Sequence, residues 1–199
     1  MTIKAVYFDL GGVIVRTEFQ SPRERLADRL GMSYEDLART VFESKSAQEA
    51  TVGRISEDEH WKIVARALHR PVKERNAIRD EFFAGDVVDR ALIDFIRSLR
   101  PKYKTGLISN AWDGMRAFIK REKFDDAFDY MTISAEIGIM KPDLGIYAHA
   151  LDKLSVKPTE SVFLDDFPEN ITGCEAAGMH GIHFESPEQA LKDLKKLLR

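Results

Sequence analysis

Residues 3–8, 104–109, 130–134, 161–164 and 180–184 are short, nearly continuous apolar runs of the kind that strands buried on both faces require. Between them apolar positions recur every three or four residues. Val88, Leu92, Phe95, Ile96 and Leu99 form one such series, and Met115, Phe118 and Ile119 a second. Ile146, Tyr147, Ala150, Leu151 and Leu154 form a third, and Leu191, Leu194 and Leu198 close the chain. This is the helical period. Strands alternating with helices imply right-handed crossovers, and so an α/β fold: a Rossmann-like parallel sheet with helices on both faces.

One long connection breaks the alternation. After the first strand the chain is helical in pattern up to the helix near residue 87. "SYED" at 33–36 and "SEDE" at 56–59 read as helix starts, the second as a capping box, and Trp61, Val64, Ala65 and Leu68 make an apolar stripe. The expectation is a small all-helical cap at 18–85, inserted after the first strand into a core formed by 1–17 and 86–199. A segment leaving at that point is placed to act as a lid. The plainer alternative is a lobe that only enlarges the core.

Composition narrows the partners. Of the 199 residues, 44% are hydrophobic and 32% charged, enough for one sizeable core. The net charge of −3, with basic and acidic residues interspersed, provides no basic field for nucleic acid or for an anionic membrane. Cys174 is the single cysteine, which excludes an internal disulfide and a Cys-x-x-Cys metal site. The N-terminus lacks a secretory pattern and no apolar run reaches membrane length, so a soluble, cytoplasmic protein is expected. Oligomeric state is not encoded in any pattern here.

In an open parallel sheet, ligands bind beyond the carboxyl ends of the strands. The polar residues collect there. "VYFDLGGV" ends its strand on Asp9, followed by Gly11 and Gly12; "LISN" ends on Ser109 and Asn110; "GIMKPD" carries Lys141; "VFLDDFPEN" carries Asp165 and Asp166. A carboxylate can attack phosphorus. Three close acids require a cation, and an all-oxygen set suits magnesium. A lysine and a hydroxyl can then hold phosphoryl oxygens, while glycines bring backbone amides close to a ligand. Each element has a plain alternative: a turn-forming aspartate, an acidic helix cap, a surface lysine, a Ser-Asn cap. Their occurrence in order, each at a strand end, argues for the chemistry.

The four motifs resemble those of the haloacid dehalogenase superfamily, in the branch with a small helical cap. In detail the chain is similar to sugar-phosphate phosphatases of the α-D-glucose-1-phosphate type and to the N-terminal phosphatase domain of soluble epoxide hydrolase. The resemblance spans essentially the whole chain. It implies a Rossmann-like core and a Mg²⁺-dependent phosphatase acting on a small phosphorylated metabolite, a sugar phosphate or similar. It further implies Asp9 as nucleophile, Ser109, Asn110 and Lys141 at the phosphoryl group with Gly11 and Gly12 beside it, and Asp9, Asp165, Asp166 and the Gly11 carbonyl at the metal, with Asn170 in support.

Gly11 departs from the family's usual pattern, a second aspartate as general acid/base, although glucose-1-phosphate phosphatases also have glycine there, so the resemblance does not imply inactivity. Slow turnover is expected unless a water or a cap residue substitutes, the candidates being Glu18, Arg16 and His60. Two other readings remain: a weakened, ligand-binding or regulatory protein, and a metal-free 2-haloacid dehalogenase, against which the acid pair Asp165-Asp166 counts. His180 and His183, three apart on a strand, make a poor metal pair. Cys174 is expected to be buried, Trp112 and Arg116 to serve packing and surface, and Arg54 to be a candidate for substrate selection.

Overall fold

The computed structural model describes residues 2–198. Its strands are β1 (Ala5–Phe8), β2 (Val15–Thr17), β3 (Asp86–Val88), β4 (Lys104–Ser109), β5 (Tyr130–Ile133), β6 (Ser161–Asp165) and β7 (His180–His183). Between β2 and β3 lie α1 (Ser21–Leu30), α2 (Tyr34–Phe42), α3 (Lys45–Thr51), α4 (Glu57–Ala67) and α5 (Arg75–Phe82). The later helices are α6 (Arg90–Leu99), α7 (Met115–Arg121), α8 (Ser134–Ile137), α9 (Leu144–Leu154), α10 (Pro168–Ala176) and α11 (Pro187–Leu197).

Five strands make one parallel sheet in the order β5-β4-β1-β6-β7. All five were legible as apolar runs. Side chains alternate between its faces, and each face has its own core. Val6, Phe8, Leu107, Val162 and Leu164 pack under α6, α7 and α11, against Ile93, Ile96, Ile119 and Leu194. Ala5, Tyr7, Ile108 and Phe163 pack on the other side, against Ile146, Tyr147, Ala150 and Leu154 of α9 and Cys174 of α10.

Some boundaries shift for local reasons. β6 runs one residue further than its apolar run, so that Asp165 lies inside the sheet, level with His183. β5 stops at Ile133 because Ser134 opens α8. Asp89 accepts from the Leu92 amide at 2.8 Å, which starts α6 at Arg90 and leaves Val88 in β3. Ser56 caps α4 through the Glu59 amide at 3.2 Å, but the Glu59 carboxylate turns to Lys62, so only half of a capping box forms.

The pattern gave no sign of a second, two-stranded sheet. β2 and β3 pair antiparallel, Thr17 level with Asp86, as a ribbon through which the chain leaves for α1–α5 and returns. Strands this short show no period. The helices gather around Leu26, Leu37, Val41, Trp61, Val64 and Phe82. Arg23 ties them to the ribbon: its Nε donates to the Phe82 carbonyl at 2.9 Å, its guanidinium pairs with Asp86 at 2.7 Å and lies 4.3 Å over the Phe82 ring. Trp112, from the loop after β4, enters the same cluster, and its ring lies 4.6 Å from that of His60.

His60 is fully buried, with Nδ1 2.9 Å from Ser46 Oγ. Burial lowers its pKa from the ordinary 6.5 to about 4. The unfolded chain therefore takes up a proton between those values that the folded chain refuses, and stability falls as pH drops from about 6.5 toward about 4. The thermal midpoint of the native protein is expected to fall over that interval by more than that of His60→Phe. Equal falls in the two proteins, followed by circular dichroism, would remove His60 as the cause.

Candidate active site

The sheet register assembles the site. Phe8 is level with Leu107 and with Leu164, and the Asp9 amide donates to the Leu164 carbonyl at 2.9 Å. Asp9 therefore emerges beside Asp165, and Ser109 stands on the other neighbour, one position past the level of Asp9. Asp9, Asp165 and Ser109 are all buried, as is Lys141.

Lys141 reaches in from the loop between α8 and α9. Its Nζ lies 2.8 Å from Asp9 Oδ1, 2.6 Å from Asp165 Oδ2 and 3.0 Å from the Ile108 carbonyl. The Phe163 ring lies beneath it, 5.1 Å from Nζ. Asn110 fixes the loop from the tip of β4: its Nδ2 donates to the Lys141 carbonyl at 2.9 Å and its Oδ1 accepts from the Lys141 amide at 2.7 Å. Ser109 and Asn110 thus do not cap a helix, since α7 begins from Gly114 without a side-chain cap.

Asp165 is saturated. Oδ1 accepts from the Phe167 amide at 2.8 Å and Asn170 Nδ2 at 3.0 Å, while Oδ2 accepts from Asn170 Nδ2 at 3.1 Å and from Lys141. Asp166 is the opposite case, for its Oδ1 is buried without a hydrogen-bond partner. Gly12 makes room for it. A Cβ at Gly12 would overlap the Asp166 carboxylate, and the residue has a φ of +75°, in the left-handed region that glycine adopts freely. At Gly11 a Cβ would meet no atom within 4 Å.

The electrostatics are those of a site short of positive charge. Burial pushes the Asp9 carboxyl up to about 7, with Lys141 pulling down and Asp165 pushing further up. Burial, followed by the charge of Asp165, also raises Asp166. One oxygen from each of Asp9, Asp165 and Asp166 falls within 4.8 Å of the others. An all-oxygen set with an orphaned buried oxygen fits a hard divalent cation such as magnesium.

The chain matches the model of the haloacid dehalogenase-like hydrolases over residues 3–178. The chain belongs to that family. It is 26% identical to the bifunctional epoxide hydrolase 2 of Mus musculus over 99% of its own length, and spans 39% of the length of that relative. It is 27% identical to a D-ribitol-5-phosphate phosphatase of Bacteroides thetaiotaomicron, over 85% of both chains. Among solved structures, a HAD-family enzyme of Bacteroides thetaiotaomicron in complex with magnesium and inorganic phosphate superposes with a TM-score of 0.78, at 21% identity, over 99% of this chain and 100% of the other.

Other residues of this hydrolase fall into place around the site. His183 is exposed, and its Nε2 lies 3.0 Å from the Asp166 carbonyl. The sequence pattern raises His183 only as a metal partner of His180, although parallel pairing of β6 and β7 leads to this contact. The Ile108 carbonyl beneath Lys141 left no signal, being backbone. Arg16 pairs with Glu18 at 3.2 Å and Asp89 at 2.9 Å, on the ribbon. His60 is sealed in the helical cluster, so it has no path to a substrate proton. Arg116 pairs with Glu136, Cys174 is buried, and Arg54 lies exposed in the loop between α3 and α4. Among the described residues no helix is long and apolar enough to cross a membrane.

Gly12→Ala tests the fit between the turn and Asp166. A left-handed non-glycine residue costs roughly 1–2 kcal/mol, a few degrees of thermal midpoint. Displacement of the Asp166 carboxylate is expected to cost far more, as loss of divalent-cation binding in calorimetry on a protein of unchanged circular dichroism. Cation affinity equal to that of the native protein would refute the contact.

Proposed function

We propose that this hydrolase is a magnesium-dependent phosphatase acting on a small phosphorylated metabolite, with Asp9 as its nucleophile. The observation that carries the reading is a buried ammonium shared between Asp9 and a saturated Asp165, with the unpartnered oxygen of Asp166 beside it. The phosphatase named among the relatives, and the magnesium and phosphate of the structural neighbour, support it. A metal-free dehalogenation has no use for the orphaned Asp166 oxygen.

Asp9 attacks phosphorus in line with the leaving oxygen, the bond to that oxygen breaks, and an aspartyl-phosphate forms. Water then breaks the new P–O bond and frees phosphate. Lys141 neutralises phosphoryl charge from a fixed position, and the Ser109 hydroxyl adds a donor. The Gly12 amide donates to the Val15 carbonyl at 2.9 Å, so the turn offers the phosphoryl group the amides before it, those of Leu10 and Gly11. Asp9, Asp166 and the Gly11 carbonyl would hold the magnesium ion, which supplies positive charge to the phosphoryl oxygens when bound. Asp165 enters the expectation for the metal as well, but its four accepted hydrogen bonds suit a different role. It orients Lys141, as does Asn170 through Asp165. The segment 18–85, hung from the β2–β3 ribbon, acts as the cap that closes over the substrate and excludes water.

Phosphate release from p-nitrophenyl phosphate tests this. Activity is expected with magnesium, none with chelator and none in Asp9→Asn. Asp166→Asn is expected to raise the magnesium concentration needed for half-maximal activity by tenfold or more, about 1.4 kcal/mol. Turnover that survives chelation or the Asp9 substitution would sink the reading.

A further inference from the structure

Transfer of a phosphoryl group from an alcohol needs a proton for the leaving oxygen, typically supplied by a placed acid. The surroundings of Asp9 hold the candidates elsewhere. Lys141 Nζ donates to Asp165 and to the Ile108 carbonyl and forms an ion pair with Asp9 at 2.8 Å. Tyr7 donates inward to the Ala150 carbonyl and Tyr147 to that of Asn170. His183 Nε2 lies against the Asp166 carbonyl. The carboxylates on the connections that leave this edge of the sheet are also engaged. Glu18 binds Arg16, Asp113 accepts from the Glu57 amide, Glu136 binds Arg116, and Asp143 accepts from the Gly145 amide, while the Glu57 carboxyl, raised by burial, is turned against Gly114 in the loop after β4. Two residues past Asp9 there is space but no side chain, because a Cβ at Gly11 would meet nothing within 4 Å.

We infer that the site is built for substrates whose leaving group departs as a stable anion: phosphoryl groups on oxygens of low pKa, acyl phosphates above all, rather than phosphates of ordinary alcohols. The inference rests on the phosphatase reading and narrows it. In the first step the bond from Asp9 to phosphorus forms as the bridging P–O bond breaks, and the electron pair leaves on the acyl carboxylate, which takes no proton. In the second step water bonds to phosphorus and the P–O bond to Asp9 breaks. The water proton ends on the released phosphate and Asp9 regains its carboxylate. The two steps are then chemically alike, for the aspartyl-phosphate is itself an acyl phosphate and also needs no acid. The open space at Gly11 admits the bulk of the leaving group.

The test is kcat/KM of the magnesium-loaded full chain on acetyl phosphate, on a series of aryl phosphates of rising phenol pKa, and on glycerol 1-phosphate. Asp9→Asn serves as blank for spontaneous hydrolysis. The expected result is a steep fall with leaving-group pKa and an acetyl-to-glycerol phosphate ratio of about 10²–10⁴, the usual worth of a general acid. Gly11→Asp is expected to raise glycerol phosphate more than acetyl phosphate and to flatten the series. A shallow series with similar rates on both phosphates in the native protein would overturn the inference and reveal a donor, with Glu57→Gln the first variant to locate it. A Gly11→Asp protein of native circular dichroism with an unchanged slope would overturn the assignment to Gly11. No Asp9-dependent release from any of these substrates would overturn the phosphatase reading itself, and this inference with it.

Discussion

The ammonium of Lys141, buried between two carboxylates, is the constraint on which the rest of the site depends. Sealing a charge inside a protein is favourable only when its partners are close and its hydrogen bonds are complete. Lys141 approaches that condition with hydrogen bonds to Asp165 and the Ile108 carbonyl and an ion pair with Asp9 at 2.8 Å. Removing one partner of such a pair typically costs about 3–5 kcal/mol. The balance is nonetheless incomplete. Asp9, Asp165 and Asp166 bring three carboxylates against one ammonium, which leaves two negative charges in a buried space. A divalent cation would close that gap, and a site completed by its ligand is one whose elements must be held in place without it.

The sheet provides that rigidity. β1 is central, and its neighbours β4 and β6 end at the same edge, so Asp9, just past β1, has Ser109 on one side and Asp165 on the other. Asn110 at the tip of β4 clamps both backbone groups of Lys141. Asn170, in the first turn of α10, holds both oxygens of Asp165. The lysine is therefore fixed at its backbone from one strand and at its tip from another. In the proposed reaction, an ammonium so held loses little by reorganising when phosphoryl charge arrives.

Much of this was legible in the sequence because the site uses strand ends. The apolar runs mark where strands stop, and the polar residues that follow them are conspicuous against a buried sheet. Asp9, Ser109, Asn110, Asp165 and Asp166 stand out in this way, whereas Lys141 lies beyond α8, in the loop before α9. What stayed hidden depends on contacts without local pattern. The three-residue strands β2 and β3 are too short for alternation to show. Asp165 and Asp166 look equivalent as an acid pair, yet one is saturated and the other open, a difference set by Asn170 and Lys141 in space. Trp112 follows β4 in the chain but packs among the helices between β2 and β3, a destination its neighbours in sequence do not signal.

The two glycines after Asp9 separate what the fold requires from what the chemistry requires. Gly12 is demanded twice, by a left-handed backbone and by the carboxylate of Asp166 in the place of its Cβ. Any residue with a side chain there would displace a group of the site. Gly11 is under neither demand, since its φ is not left-handed and its Cβ position is open. The fold would accept a side chain at Gly11, so packing does not explain the glycine. On the proposed phosphatase reading, a residue that the backbone does not require, two positions past Asp9 and facing free space, is explained by what would occupy that space during the reaction. On that reading, the absence of a side chain would leave the substrate to supply both the volume and a leaving group that needs no proton.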